Sequence, residues 1–182
     1  MSHTFVPHRL DLQVFAQAGA SLSAQAPLSQ FPRLLEEAAG GGAERHVSWE
    51  AQGALRQDAA GADQVWLHLR AQVDLPLICQ RCLGPVDVSL QVHQSFRFVA
   101  TEAQAEAEDD EAEEDVLALS HDFDLLALIE DELLMALPVV PRHETCPVPV
   151  RLAVQDADFE AAQASQPHPF AALAGLKGRK SD

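Results

Sequence analysis

Three cysteines and one histidine form two short pairs whose chemistry suits a metal ion. Cys79 and Cys82 are separated by two residues, as are His143 and Cys146. Three thiolates and one imidazole complete a tetrahedral zinc, and a two-residue gap lets both members of a pair turn toward one ion. We therefore predict one structural Zn²⁺ held by these four residues. We also expect Gly84 to ease the turn that follows the first pair.

Two other interpretations of the cysteines stay open at this stage. The first pair is then either a reduced motif near an unrelated Cys146 and His143, or a dithiol redox centre. A redox pair usually lies at the start of a helix, where the thiolate is stabilised, whereas this pair lies between two predicted strands. An enzyme that uses the four residues as a catalytic zinc or redox pair is a further alternative.

Catalysis has little other support in the sequence. No cluster of carboxylates stands beside a base or a nucleophile, so we predict no catalytic residues and no enzyme. Three cysteines do not make a closed disulfide framework, which suits a reducing compartment. The longest apolar stretch, residues 125–140, is interrupted by three acids, and no segment reaches the roughly 18 apolar residues of a membrane span. We expect a cytoplasmic protein with no membrane partner.

The elements that must position the cysteine pairs follow an α+β pattern. Residues 65–77 alternate most strictly between apolar and polar side chains, and residues 86–99 and 46–56 also alternate. Such alternation predicts an antiparallel sheet with one polar face, which could close into a barrel. The first cysteine pair falls between the two long strands, as expected of a hairpin end. A short helix is predicted to begin near Pro32.

A helix is predicted for residues 123–137, where the apolar period becomes helical. Leu125, Ile129 and Leu133 share one stripe, and Pro138 ends the helix. Three consecutive acids at 130–132 lie in its middle. They form its solvated edge, or one of them contacts Arg142 or a partner.

The acidic charge is concentrated in one tract. The chain has 28 acidic and 12 basic residues, a net charge of −16. Residues 101–115 are rich in Ala, Glu and Asp and have nothing large to bury, which predicts a long mobile loop. A frayed helix is the alternative, since Ala and Glu favour helix. The tract is either a solubilising linker or an acidic arm that binds a basic partner. The residues of the proposed arm are Glu108, Asp109, Asp110, Glu111, Glu113 and Glu114.

Basic residues are few, and the net charge argues against a cationic sheath for nucleic acid. The predicted organisation is one α+β domain over residues 1–150 and a helical tail over 151–182. The tail carries an apolar stripe that leads into a basic end, which docks on a groove or on RNA phosphate, or is simply a frayed terminus. The candidate partner-binding or RNA-binding residues are Arg81, Arg142, Lys177, Arg179 and Lys180.

The order of these features resembles the YceD family, the large ribosomal RNA subunit accumulation proteins. The resemblance rests on a β-rich half ending in Cys79-Gln80-Arg81-Cys82, the acidic tract, the helix with Glu130-Asp131-Glu132 before Ala136-Leu137-Pro138, the His/Cys loop and a terminal Pro169-Phe170-Ala171-Ala172-Leu173. It implies a cytosolic, non-enzymatic ribosome-biogenesis factor needed for synthesis, processing or stability of large-subunit (23S) rRNA.

Two mechanisms reconcile that role with an acidic protein. In one, the acidic arm binds a basic large-subunit ribosomal protein or a pre-ribosomal particle, which we favour because of the nine-acid tract. In the other, the basic residues touch rRNA directly. A general chaperone-like interaction module is the remaining alternative, and it predicts many unfolded clients.

Overall fold

The computed structural model describes residues 4–150 and, beyond them, residues 156, 158, 159 and 162. Internal contacts divide the chain into two compact units, Met1–Cys146 and Pro147–Asp182. The α+β prediction is confirmed. The strands are β1 (Ser21–Pro27), β2 (His46–Gln57), β3 (Asp63–Ile78), β4 (Pro85–Val99) and β5 (Asp115–Ala118), and the helices are α1 (Leu12–Gln17), α2 (Pro32–Glu37), α3 (Glu102–Asp109) and α4 (Leu125–Met135). Short 3-10 turns occupy Pro7–Arg9, Leu28–Gln30 and Gly42–Glu44.

The five strands form one sheet in the order in which they occur in the chain. Strands β1 to β4 are antiparallel neighbours, and β5 pairs with β4 in parallel. A parallel neighbour needs a crossover connection, which the segment containing α3 supplies. Within the described residues the sheet is open, with β1 and β5 at its edges, so the suggested closure into a barrel is not what the chain forms.

The two faces of the sheet differ as the alternation predicted. The inner face is apolar and packs into one core with residues of α1, α2 and α4. Gly53 in β2 lets α1 approach, because a Cβ there would lie 2.6 Å from the Phe15 ring and 2.9 Å from the Ala16 backbone. The opposite, outer face is polar; in β2, β3 and β4 it carries Glu50, Gln52, His68, Arg70, His93 and Ser95.

Helix α3 replaces most of the loop that was predicted for residues 101–115. Thr101 caps the helix by accepting from the Gln104 N–H, and Ala105 packs with Val99 and Val116 in a small second core. Arg97, only 8% exposed, donates to Glu108 and Glu114, each at 2.6 Å. The tract is helical over 102–109 because a buried cation in β4 offsets its charge, and its mobility stays a prediction.

The acids of α4 do not form the solvated edge that the sequence suggested, since only Asp131 of the three is exposed. Glu130 accepts from the backbone N–H groups of Arg33 and Leu34 at 2.8 and 3.2 Å, and from Arg33 Nε at 3.0 Å. Phe31, at the N-cap of α2, offers no side-chain cap. Glu130 therefore caps α2 from another helix, and its arginine partner is Arg33 and not Arg142.

Glu132 gives a testable dependence of stability on pH. Burial raises its pKa above the ordinary value of a glutamate, and the nearby Asp115 and Asp131 charges raise it further. Since the folded state binds the proton more tightly, stability falls as pH rises from the unfolded pKa through the folded one. We expect Glu132→Gln to increase the free energy of unfolding at pH 7 and to flatten its decline above about pH 4.5, as followed by urea unfolding.

The control for this prediction is Glu36→Gln, which removes an exposed acid from α2. If Glu132→Gln loses stability at pH 7, or keeps the wild-type pH profile, the burial of a raised-pKa carboxyl at this position is refuted.

The described helices are short, and the longest of them, α4, has 11 residues. None of the helices in the described ranges is both long and apolar enough to cross a membrane.

Candidate metal centre

The first cysteine pair lies at the turn of the long β3–β4 hairpin. Strand β3 ends at Ile78 and β4 begins at Pro85, so the antiparallel pairing of these strands places both cysteines at one end of the sheet. The Cys79 N–H donates to the Gly84 carbonyl at 2.9 Å, and the Leu83 N–H donates to the Cys79 carbonyl at 2.8 Å. These two bonds wrap the backbone around the Cys79 side chain, which is buried, while Cys82 is half-buried.

The left-handed residue of this turn is Leu83, whereas Gly84, which was expected to ease the turn, does not have a left-handed backbone. Leu83 has a φ of 59°, and its side chain is 74% exposed. The left-handed region brings Cβ close to the following carbonyl and costs an ordinary residue about 1–2 kcal/mol. The turn thus carries backbone strain for which the Leu83 side chain gains little burial.

We expect Leu83→Gly to raise the free energy of unfolding by about 0.5–1 kcal/mol, since glycine removes the strain but adds entropy to the unfolded chain. Chemical denaturation measures the change. Leu83→Ala is the control, because alanine removes the exposed side chain and keeps the strained Cβ. An equal gain from Leu83→Ala would assign the effect to lost apolar exposure instead of backbone strain.

The second pair lies on a loop that is held against the hairpin turn. The Gln80 N–H donates to the Pro141 carbonyl at 2.8 Å. Arg81 Nη2 donates to the carbonyls of His143 and Glu144 at 2.9 and 3.1 Å. The two residues between Cys79 and Cys82 therefore orient the loop that carries His143 and Cys146.

The four side chains meet in a cluster whose dimensions suit a tetrahedral ion. The Cys79 and Cys146 Sγ atoms are 3.9 Å apart, and Cys82 Sγ is 3.4 Å from His143 Nδ1. Zinc bonds of about 2.3 Å to sulfur and about 2.0 Å to nitrogen imply edges of about 3.8 Å and about 3.5 Å in a tetrahedron. All four ligand atoms lie within 4.8 Å of one another. The cluster is positioned to bind a metal ion.

The electrostatics of the cluster favour thiolate at Cys79. Burial acts to raise the pKa of Cys79, but hydrogen bonds from the backbone N–H groups of Cys82, His143 and Arg81 outweigh it and bring the value to about 5. The pKa of Cys82 is raised: the Gly84 N–H opposes the change, but burial and the neighbouring Cys79 and Cys146 sulfurs outweigh it.

Arg81 adds a positive charge at the edge of the cluster. Its Nε donates to Cys146 Sγ at 3.1 Å, and this hydrogen bond raises the pKa of the guanidinium. Three thiolates and a neutral imidazole around a divalent cation leave one excess negative charge, which this guanidinium offsets. The sequence suggested that Arg81 binds a partner or RNA. In the structure it lies beside the candidate metal ligands.

The segment that builds this centre is also the segment that matches known proteins. The family model described as large ribosomal RNA subunit accumulation protein YceD matches residues 67–177. That range includes all four ligands, the acidic tract and α4. The chain belongs to the YceD family.

A YceD relative is known from Haemophilus influenzae, the large ribosomal RNA subunit accumulation protein YceD. It is 36% identical over 110 residues, which cover 59% of this chain and 63% of the relative. The chain thus spans less than two thirds of that relative. No solved structure matches this YceD-family chain significantly.

The remaining residues proposed from the sequence are more scattered. Arg142 is exposed in the His/Cys loop, whereas Lys177, Arg179 and Lys180 lie outside the described residues. In the acidic tract, Glu108 and Glu114 are bonded to Arg97, and Asp109 accepts from the Val116 N–H at 2.9 Å. The other three acids of the proposed arm, Asp110, Glu111 and Glu113, are exposed.

Proposed function

We propose that this chain is a non-enzymatic ribosome-biogenesis factor that sustains the accumulation of large-subunit (23S) rRNA in the cytoplasm. It does so by binding a basic large-subunit ribosomal protein or a pre-ribosomal particle that contains one. The observation that carries the proposal is the YceD-family match over residues 67–177, which takes in every element around the metal centre.

The metal centre serves this role as a structural zinc. Cys79, Cys82, Cys146 and His143 supply four protein ligands, which fill a tetrahedron and leave no position for a substrate. The ion ties the hairpin turn to the loop after α4, and so fixes the segment between them. A closed site of this kind supports a binding protein more than an enzyme.

The acidic tract is the surface that meets the basic partner. Glu108 and Glu114 share the single positive charge of Arg97, but Asp110, Glu111 and Glu113 project from the turn between α3 and β5 with exposed side chains. Clustered charges of one sign speed encounters with a partner of opposite sign and discourage contact with RNA phosphates at the same place.

The cellular experiment compares a strain lacking the gene with one that expresses the full chain. We expect the strain lacking it to lose large-subunit RNA relative to small-subunit RNA, and the tagged chain to sediment with large-subunit precursors. Unchanged RNA levels, together with capture of a broad set of unfolded clients, would instead support the chaperone-like alternative.

The role of the acidic tract in binding the partner is tested by neutralising its exposed acids while the ion pairs of Arg97 are kept. We expect D110N/E111Q/E113Q to weaken binding to purified large-subunit proteins and to remove much of its salt dependence. The matched control is E36Q/E37Q/E44Q, which removes three exposed acids on and after α2. Equal binding by the two triple variants would show that net charge, and not this surface, attracts the partner.

A further inference from the structure

Two arginines on the outer face of the sheet form no ion pair with a carboxylate, which is unusual in a chain of net charge −16. Arg9, Arg33, Arg45 and Arg97 each form an ion pair with an acid. In the part of the chain that the structure describes, Arg56 and Arg70 form no such pair. Both lie over the outer face. The other described arginines without such a pair are Arg81, beside the metal ligands, and the exposed Arg142 of the His/Cys loop.

Histidines take the place of acids beside these two arginines. Arg56 Nη2 lies 3.1 Å from His68 Nε2, and Arg70 Nε donates to His93 Nε2 at 3.4 Å. A guanidinium group only donates, so the Nε2 atom of each imidazole accepts in this arrangement. His68 Nδ1, 2.8 Å from Ser95 Oγ, then carries the proton. Burial lowers the pKa of His68, and the positive charge of Arg56 lowers it further.

A flat aromatic surface adjoins the cations. The Arg56 guanidinium lies 4.6 Å from the centroid of the Trp66 ring, and Trp66 is stacked on His68 with centroids 6.3 Å apart. The face continues into a groove of about 800 Å³ across β1 to β4, lined by Gln25, Ser48, Arg70, Gln91 and His93 among others. Glu50, opposite Arg70 on β2, is the one carboxylate among the residues that line this groove and its extension toward Arg56.

We propose that this outer face binds single-stranded RNA, with Arg56 and Arg70 on phosphates and Trp66 against a base. Guanidinium groups without a carboxylate partner bind phosphate, and amides and hydroxyls bind base edges. Unpaired bases stack on aromatic rings and on arginine planes, and the half-buried Trp66 ring with Arg56 over it offers both. A duplex does not offer its bases to a sheet. The inference rests on the proposed function and deepens it, because it assigns the RNA contact to this face and leaves the ribosomal protein to the acidic tract.

The experiment measures binding of the purified full chain to a fluorescent 12-nucleotide single-stranded RNA by anisotropy at low salt. We expect R56Q/R70Q to weaken binding about tenfold and to reduce the slope against log salt by about 1.4, two contacts at about 0.7 each. R9Q/R45Q is the matched control, since it removes two surface charges that are paired with acids elsewhere. It should change affinity less than about twofold.

Two further measurements keep the test independent of misfolding. Glu50→Gln should tighten RNA binding about threefold, a gain that damage to the fold does not produce. RNA should quench the fluorescence of Trp66, since of the chain's two tryptophans only Trp49 is fully buried. Equal losses in both double variants, or displacement of the RNA by polyglutamate at equal charge, would overturn the assignment of RNA to this face. If the outer face does not bind RNA but the full chain restores large-subunit RNA in the deletion strain, this inference fails and the proposed function still holds.

Discussion

Cys79→Ser is expected to abolish zinc binding and to lower the free energy of unfolding by about 4 kcal/mol when free zinc exceeds its dissociation constant a thousandfold. Cys79 is the buried ligand, and backbone N–H groups already orient its sulfur. Its loss removes the tie between the hairpin turn and the His/Cys loop, which are separated by 60 residues of chain. Metal content of the purified protein and denaturant unfolding with and without added zinc measure the two effects.

Controls separate the metal from the side chain. A chelator should lower the stability of the wild type to that of Cys79→Ser and should leave the variant unaffected. His143→Cys offers a fourth thiolate and should retain one zinc per chain. His121→Asn, which changes an exposed histidine that pairs with Asp11 away from the cluster, should leave the zinc content and the response to chelator unchanged. Wild-type stability that does not respond to a chelator would contradict a structural metal.

Glu130→Ala is expected to lower the free energy of unfolding by about 2–4 kcal/mol, through the lost charged hydrogen bonds and the lost cap of α2. The Glu130 side chain is only 7% exposed, and it accepts from two backbone N–H groups as well as from Arg33. Its removal leaves those groups without their acceptor at the contact between α2 and α4.

Asp131→Asn is the matched control, since Asp131 also pairs with Arg33, at 2.7 Å, but with half of its side chain exposed. An exposed pair contributes at most about 1 kcal/mol. Urea unfolding of the two variants should therefore separate them clearly. Similar losses from both would show that the arginine pair, and not the cap, holds the helices together.

The parts of the fold that the sequence predicted well are those that show a regular spacing of apolar residues along the chain. The alternation along β3 and β4 and the stripe of α4 reflect burial of one face, and the hairpin end followed from the two long strands. The four metal ligands could be grouped because few residue types bind zinc and their spacing is short.

The parts that it missed depend on partners far away in the chain. Arg97 alternates like any outward residue of a strand, so nothing local revealed that Glu108 and Glu114 cover it. Strand β5 has four residues, too few to show a period. Glu130 looked like any helix acid, since its role is decided by the backbone of α2. The arginines of the outer face were not singled out, because the net charge of the chain is dominated by the acidic tract.

The strand order has a meaning for a chain that is still being synthesised. Each strand pairs with the one just before it, so the sheet can grow strand by strand from the N-terminus as residues leave the ribosome. The helix α4, which covers part of the inner face, and the loop with His143 are made later. Before they are made, the nascent chain exposes the apolar inner face of the sheet and only two of the four zinc ligands. The residues made between the sheet and α4 include the nine acids of the tract. The mutual repulsion of these acids opposes aggregation of the exposed chain.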